Sequence, residues 1–285
     1  MAGGSDAGGS GRIAASYCGI VGVKPTFGRI PTTGVVPMAP SMDHVGPLAD
    51  SVHHAALAMD ALSDTGREAA PLADTIDSDP EGLSIGIAAP FFDDHVSDGV
   101  EASVWAAVDK LAVRGAKVDT VSIPALEYSR EAWWGIAPAE FAGVFASDGC
   151  GLFDRGVTEP TIAAAIRRVR RASGHDLGRN AKAMLVLGAQ LLDRHGGAHY
   201  VRAKQLRASL RSAIDAALTD VDVLVAPTTP TTALEIGGFE RGVTPPVNWN
   251  THPTNLSGHP SVSVPCGRDD GLPVGLQVIA AWDDE

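Results

Sequence analysis

The sequence predicts an α/β fold, a mixed β-sheet covered by helices, and three observations carry that expectation. Leu83-Ser84-Ile85-Gly86-Ile87-Ala88 alternates like a strand, residues 99–114 carry helical periodicity, and Lys117-Val118-Asp119-Thr120-Val121-Ser122-Ile123 alternates again. A strand, a helix and a second strand in that order form a crossover, which needs parallel strands and is nearly always right-handed. Two later apolar runs, residues 221–226 and 273–279, have strand length and β-branched content and return the chain to the sheet.

The elements follow in order. Residues 1–50 are rich in glycine, proline and small side chains and read as loops and short strands rather than a long helix. From Val45 onward the apolar positions Leu48, Val52, Ala55, Ala56, Met59 and Leu62 acquire helical spacing, and Asp50 or Ser51 can cap a helix over residues 51–62. Residues 63–81 are polar and acidic, a surface connection that does not separate independent domains. Helices are expected at residues 131–146, 158–172, 180–194 and 198–218, so the middle of the chain is mostly helical.

Composition bounds the function. A chain of 285 residues with 45% hydrophobic content can bury a large core. A net charge of -12 argues against a surface built to neutralise phosphates, so nucleic acid is not an expected partner. The one local exception, Ile166-Arg167-Arg168-Val169-Arg170-Arg171, reads as a solvated helix face. Cys18, Cys150 and Cys266 are far apart and odd in number, which fits a reducing, cytoplasmic setting. No apolar run of about 18 residues suggests membrane insertion.

Motifs recur along most of the chain. The opening Gly3-Gly4-Ser5-Asp6-Ala7-Gly8-Gly9-Ser10-Gly11-Arg12 runs into Ser16-Tyr17-Cys18-Gly19-Ile20-Val21-Gly22-Val23-Lys24-Pro25-Thr26. Phe27-Gly28-Arg29-Ile30-Pro31 and Ser41-Met42-Asp43-His44-Val45-Gly46-Pro47-Leu48-Ala49 follow. Much later come Ala226-Pro227-Thr228-Thr229-Pro230, the stretch from Asn255 to Gly267, and Gly271-Leu272-Pro273-Val274-Gly275-Leu276-Gln277. In this order the segments resemble the amidase signature family.

The resemblance implies hydrolysis of a carbon–nitrogen amide bond through an acyl-serine intermediate on Ser10, with a small amide as substrate and no cofactor or metal. Preorganised backbone amides stabilise the alkoxide of a tetrahedral intermediate, and the expected donors are those of Ala7, Gly8, Gly9 and Ser10. Asp6 and Arg12 bracket the glycine turn and are expected to brace it. A serine hydroxyl needs a base within hydrogen-bond reach. In the family that base is a lysine relayed through a second serine, both upstream of the nucleophile. Of the five lysines here, Lys24, Lys110, Lys117, Lys182 and Lys204, none is a convincing substitute. The chain thus reads as a partial amidase domain over residues 1–285, cut at both ends and inactive as it stands.

Alternatives sit beside this reading. The A subunits of glutamine-dependent aminoacyl-tRNA amidotransferases are similar through Ile136-Ala137-Pro138-Ala139-Glu140 and the helix containing Tyr200, Ala203, Leu206 and Arg207. Met184 and the Asn248-Trp249 pair depart from that branch at positions associated with the glutamine α-groups, which favours a plain amidase. A catalytically silent fragment is a further alternative. On composition alone the opening is a flexible glycine-serine tail. A phosphate loop needs Gly-Lys-Ser/Thr, which is absent, and so is a Gly-x-Ser-x-Gly elbow.

Histidines invite other chemistry. His53 and His54 are adjacent and cannot share a helix face. His195 and His199 have metal-pair spacing, but Gly196-Gly197 breaks the helix between them. His44, next to Asp43, suggests a triad with Ser10, although neighbouring residues rarely orient one another. Trp133-Trp134 either lines an acyl pocket or packs in the core.

Overall fold

The computed structural model of the chain describes residues 1–63, 71–76, 79–93, 95–147, 159–194, 196–237 and 247–285. Cys150, His195 and much of the acidic connection, residues 64–70 and 77–78, lie outside the described residues.

The eight strands are β1 (Ala2–Asp6), β2 (Val21–Lys24), β3 (His44–Ala49), β4 (Ser84–Ala88), β5 (Lys117–Val121), β6 (Val223–Pro227), β7 (Ser261–Asp269) and β8 (Leu272–Ile279). Among the described residues they form one sheet in the order β1-β3-β2-β7-β8-β6-β4-β5. β4 runs parallel to β5 and β6, and every other pairing is antiparallel. The mixed sheet expected from the alternating segments is therefore present, with α3 (Asp98–Val113) crossing from β4 to β5.

Successive strand residues face opposite sides of a sheet, and here that parity sorts the core. Leu224, Ala226 and Ile279 enter one apolar cluster with α4 (Ser129–Ala146) and α7 (Ala198–Ala217). Val225, Val274 and Leu276 point the other way and pack with Val100, Val104 and Val108 of α3. Ser263 and Gln277 are paired across β7 and β8 and fully buried, and Ser261 is also buried on the same strand. These polar residues make a hydrogen-bonding platform beneath α1 (Ser10–Cys18).

The helix α2 (Val52–Leu62) starts where expected, because the Ser51 side chain accepts the His54 amide. The later helices also match: α5 (Pro160–Ala172), α6 (Arg179–Asp193) and α7. On α5 the arginines 167, 168, 170 and 171 are exposed while Ile166 is buried, so the basic run is a solvated face.

The first 50 residues differ from expectation in two places. Residues 44–49 form β3 instead of beginning helical spacing, because β3 is hydrogen-bonded between β1 and β2, and a Cβ on Gly46 would overlap the Val23 carbonyl. Residues 10–18 form α1 despite Gly11 in its first turn. Burial of Arg12, Ala15 and Ser16 against the sheet supplies what local propensity does not. A short helix, α8 (His252–Ser257), and β7 were also not anticipated, although Ser261-Val262-Ser263-Val264 alternates clearly.

The fold predicts a specific sensitivity where α4 meets α6. Gly188 lies against the Pro138 carbonyl, and a Cβ there would overlap it. Gly188→Ala is expected to cost about 1–3 kcal/mol by overpacking. Gly178→Ala, with open space around it, should stay within about 0.5 kcal/mol. Urea denaturation of both variants checks this, and equal midpoints would contradict the close α4–α6 approach.

Candidate active site

The segment from Asp6 to Arg12 leaves β1, turns through three residues and enters α1. Gly9 makes the turn at φ 121, a conformation that favours glycine, and a Cβ there would also overlap the Thr251 hydroxyl. Gly8 lies flat against the Trp133 indole, with a Cβ position only 3.0 Å from the ring. Side chains larger than hydrogen are excluded from the back of this turn.

Asp6 and Arg12 hold the turn from inside. Arg12 is fully buried and donates Nε to Asp6 Oδ2 (3.0 Å) and Nη2 to Asp6 Oδ1 (3.0 Å), a two-pronged ion pair. Its Nη2 also reaches Asn255 Oδ1 (2.7 Å), and Nη1 faces Thr254 Oγ1 (2.6 Å), Gln277 Oε1 (2.7 Å), the Thr251 carbonyl (3.0 Å) and Ser261 Oγ (3.1 Å). One guanidinium thus joins β1, α1, α8, β7 and β8. Burial alone would raise the Asp6 pKa, but the Arg12 charge and hydrogen bonds, with help from Asn255, hold it far below the usual carboxylate range.

Every carbonyl of the turn is tied inward. The Asp6 carbonyl accepts from Asn255 Nδ2 (2.9 Å), that of Ala7 from Trp133 Nε1 (3.0 Å), that of Gly8 from Thr251 Oγ1 (2.8 Å) and that of Gly9 from the Ile13 amide (2.7 Å). In a planar trans peptide the next N–H points opposite to the carbonyl. The amides of Ala7, Gly8 and Ser10 are therefore turned away from the groups that anchor the loop. Gly9 is different: its amide donates to Asp6 Oδ1 at 2.7 Å. Of the four amides expected as oxyanion donors, that of Gly9 is thus the one engaged by the carboxylate that braces the turn.

Ser10 is the first residue of α1 and is exposed. Its hydroxyl has no hydrogen-bond partner among the described residues, and the first-turn amides of Ser10 and Gly11 have no acceptor within the helix. An exposed hydroxyl at a helix N-terminus flanked by outward amides can accommodate a developing negative charge.

The basic groups nearby are otherwise engaged. Lys24 is fully buried and its Nζ faces the His259 carbonyl (2.6 Å), the Pro25 carbonyl (3.1 Å) and His44 Nε2 (3.3 Å). Burial, reinforced by Arg12, pushes its pKa well down against the pull of Asp6 and Glu285. His44 Nδ1 lies 2.7 Å from the Met42 carbonyl, which only accepts, so Nδ1 carries the proton and Nε2 faces Lys24. Asp43 turns its carboxylate to the Met38 and Ala39 amides and does not orient His44. The triad considered for His44, Asp43 and Ser10 is not assembled. No group of three or more potential metal ligands occurs among the described residues.

Sequence reasoning missed the contribution of residues 248–255. Thr251, Thr254 and Asn255 complete the Arg12 network, and His252 is buried with Nδ1 on the Asn248 carbonyl (2.6 Å) and Nε2 3.1 Å from Ser129 Oγ. The Asn255-to-Gly267 motif pointed to the end of this segment, but nothing local marked the turn before it. Trp133 resolves as a buried ring bonded to the glycine turn, and Trp134 is 43% exposed beside it.

These buried histidines set an acid sensitivity. Burial lowers His252 and His259 to about 4 and pushes His44 well down, so each takes up a proton on unfolding between pH 6.5 and 4. Burial raises Asp43 to about 6, which opposes them with one proton bound in the folded state. The balance favours the unfolded state as pH falls, so stability should decline from pH 6.5 to 4. His252→Asn should flatten that slope by about 1.4 kcal/mol per pH unit. Urea midpoints across this range check it, and an unchanged slope would contradict the neutral, buried state of His252.

Comparison with known proteins gives this geometry a lineage. The family model described as Amidase matches residues 1–285. The A subunit of glutamyl-tRNA(Gln) amidotransferase from Methanosarcina acetivorans is 38% identical, over 99% of this chain and 61% of its own length. The crystal structure of the Thermotoga maritima protein of the same name superposes with a TM-score of 0.78 at 30% identity, covering 98% of this chain and 58% of that one. Peptide amidase from Stenotrophomonas maltophilia superposes at 0.72 with 29% identity, covering 99% and 58%. The chain spans about three-fifths of the length of the relatives it matches. With the whole sequence matched and the fold shared, the chain belongs to the amidase signature family.

Proposed function

We propose that the site hydrolyses a carbon–nitrogen amide bond through an acyl intermediate on Ser10. The observation that carries the reading is the exposed Ser10 hydroxyl at the start of α1, on a turn whose carbonyls are all bonded inward. In this reading Ser10 Oγ attacks the amide carbonyl, its proton leaves to a base, and the alkoxide receives hydrogen bonds from the amides of Ala7, Gly8 and Ser10. Collapse breaks the carbon–nitrogen bond as the protonated base returns the proton to the leaving amine; water, deprotonated by the same base, then attacks the ester, and the proton goes back to Ser10 Oγ as the acid is released. Each fixed donor of this kind supplies about 2.7–4 kcal/mol of transition-state stabilisation.

The proton acceptor is the weak point of the chain as it stands. No described residue places a base on the Ser10 hydroxyl, and Lys24, the one buried lysine in the region, is engaged with His44 and two carbonyls. The 285 residues alone should therefore turn over amides far more slowly than ordinary enzymes, which run at about 1–1000 per second. A purified chain with turnover in that range would contradict this. Supplied with a base, Ser10 should form an acyl-enzyme and react with a fluorophosphonate, and Ser10→Ala should abolish both. Labelling that survives Ser10→Ala, read by mass spectrometry, would overturn the nucleophile assignment.

A second reading is favoured by the relatives named as A subunits of an amidotransferase, in which the amide would be that of glutamine. Against it, Met184 packs at the edge of the main apolar cluster and Asn248 uses its carbonyl to hold Thr251 and His252. Neither supplies the charge that would grip an α-amino or α-carboxyl group. Small or aryl amides are expected to be hydrolysed in preference to glutamine. Efficient ammonia release from glutamine, stimulated by charged tRNA and a partner protein, would reverse the preference.

A further inference from the structure

One wall beside the nucleophile turn joins exposed aromatic surface to an uncommitted cation. Trp133 and Trp134 follow Arg130 on α4 by three and four residues, so each lies within one helical turn of it, Trp133 on the buried side and Trp134 on the exposed side. Trp133 fixes α4 to the turn through its bond to the Ala7 carbonyl, and Trp134 meets the Trp133 ring edge-on at 5.2 Å. Arg130 sits three residues, about 4.5 Å of helix rise, from the residue that touches the turn. From the other side comes the segment preceding α8. Its Thr251 holds the Gly8 carbonyl, and two residues earlier Trp249 packs its ring against His95 at 4.7 Å, with the Arg130 guanidinium over it at 5.4 Å.

We propose that Arg130, held over Trp249, is a specificity-determining residue that receives a carboxylate carried by the amide substrate, while Trp134 and Trp249 flank the planar part of the molecule. The proposal deepens the reading of Ser10 as the nucleophile and rests on it. A guanidinium lying over an aromatic ring keeps its N–H donors at its edge, where a carboxylate can take two of them at once. Arg130 is exposed, and its guanidinium has no hydrogen-bond partner among the described residues. Cationic side chains converge here: after burial, the main cause, Arg12, Arg130 and His95 each disfavour a charge on His252. The nearest acid on the helix, Glu131, lies about 100° round from Arg130.

The test compares binding of 4-carbamoylbenzoate and benzamide, two aryl amides that differ by one carboxylate, to the purified 285-residue chain by calorimetry. The anion should bind about tenfold tighter, the worth of a charge-assisted pair. Arg130→Gln should bring the two within about twofold, and Arg130→Lys should recover only part of the difference, because an ammonium lacks the two-pronged edge. Trp249→Leu should weaken both ligands together. Equal affinity of the two ligands for the unaltered chain, or a preference untouched by Arg130→Gln, would overturn the proposal. Reaction of Ser10 with a fluorophosphonate is scored separately in protein supplied with a base. A preference that persists where Ser10 does not label overturns the nucleophile alone, and labelling without preference overturns the carboxylate site alone.

Discussion

The Asp6–Arg12 ion pair is the constraint on which the rest of the site depends. Arg12 is enclosed by five elements that come from both ends of the sequence, and its charge is matched by one carboxylate and distributed over neutral oxygens. Removing charges from water costs several kcal/mol per ion, so such a pair is tolerable only with this degree of hydrogen bonding. What it secures is geometry. The same carboxylate oxygen that receives Arg12 Nη2 also receives the Gly9 amide, so the charge pair and the turn conformation are one structure. A lysine at position 12 could not do this, because an ammonium has three donors and no planar fork.

From that anchor the chemistry of the loop follows by peptide geometry. Four consecutive carbonyls bonded to the interior direct the amides of Ala7, Gly8 and Ser10 outward, while the Gly9 amide stays on Asp6, and the glycines allow the backbone to lie against Trp133 and Thr251 with nothing between. Fixing those dipoles during folding removes the reorganisation that water would need at the moment of reaction. The same contacts couple recognition to the turn. Trp133 and Thr251 each touch a loop carbonyl, and each belongs to a segment that carries exposed aromatic or cationic side chains toward the neighbouring surface.

Much of this was legible in the sequence. Period-two alternation at residues 83–88 and 117–123, with helical spacing between, located the parallel crossover because Ile85 and Ile87 alternate with the small Ser84 and Gly86, and the helix buries one face through Val100, Val104 and Val108. The glycine turn and the Asp6–Arg12 pair that braces it were legible from their motif. Other features were not. β3 was obscured because Val45, Leu48 and Val52 fit helical spacing, and its strand form is set by neighbours on both sides. The bond from the Gly9 amide to Asp6 was not legible because sequence does not show that an aspartate three residues back will receive it. The 248–252 turn was invisible because its role depends on contacts across more than 100 residues, to Gly8 and Ser129.

The most direct test of the account is a double-mutant cycle on Asp6→Asn and Arg12→Gln, with stability read from urea unfolding. If the pair is one interacting unit, each single substitution strands a buried partner and costs about 3–5 kcal/mol, and the double variant loses markedly less than the sum of the two. The expected coupling is about 2 kcal/mol or more, at the upper end for contacting residues. Single losses that add to within about 0.5 kcal/mol would show that Asp6 and Arg12 act independently, and the site would then have to be organised by something other than their pairing.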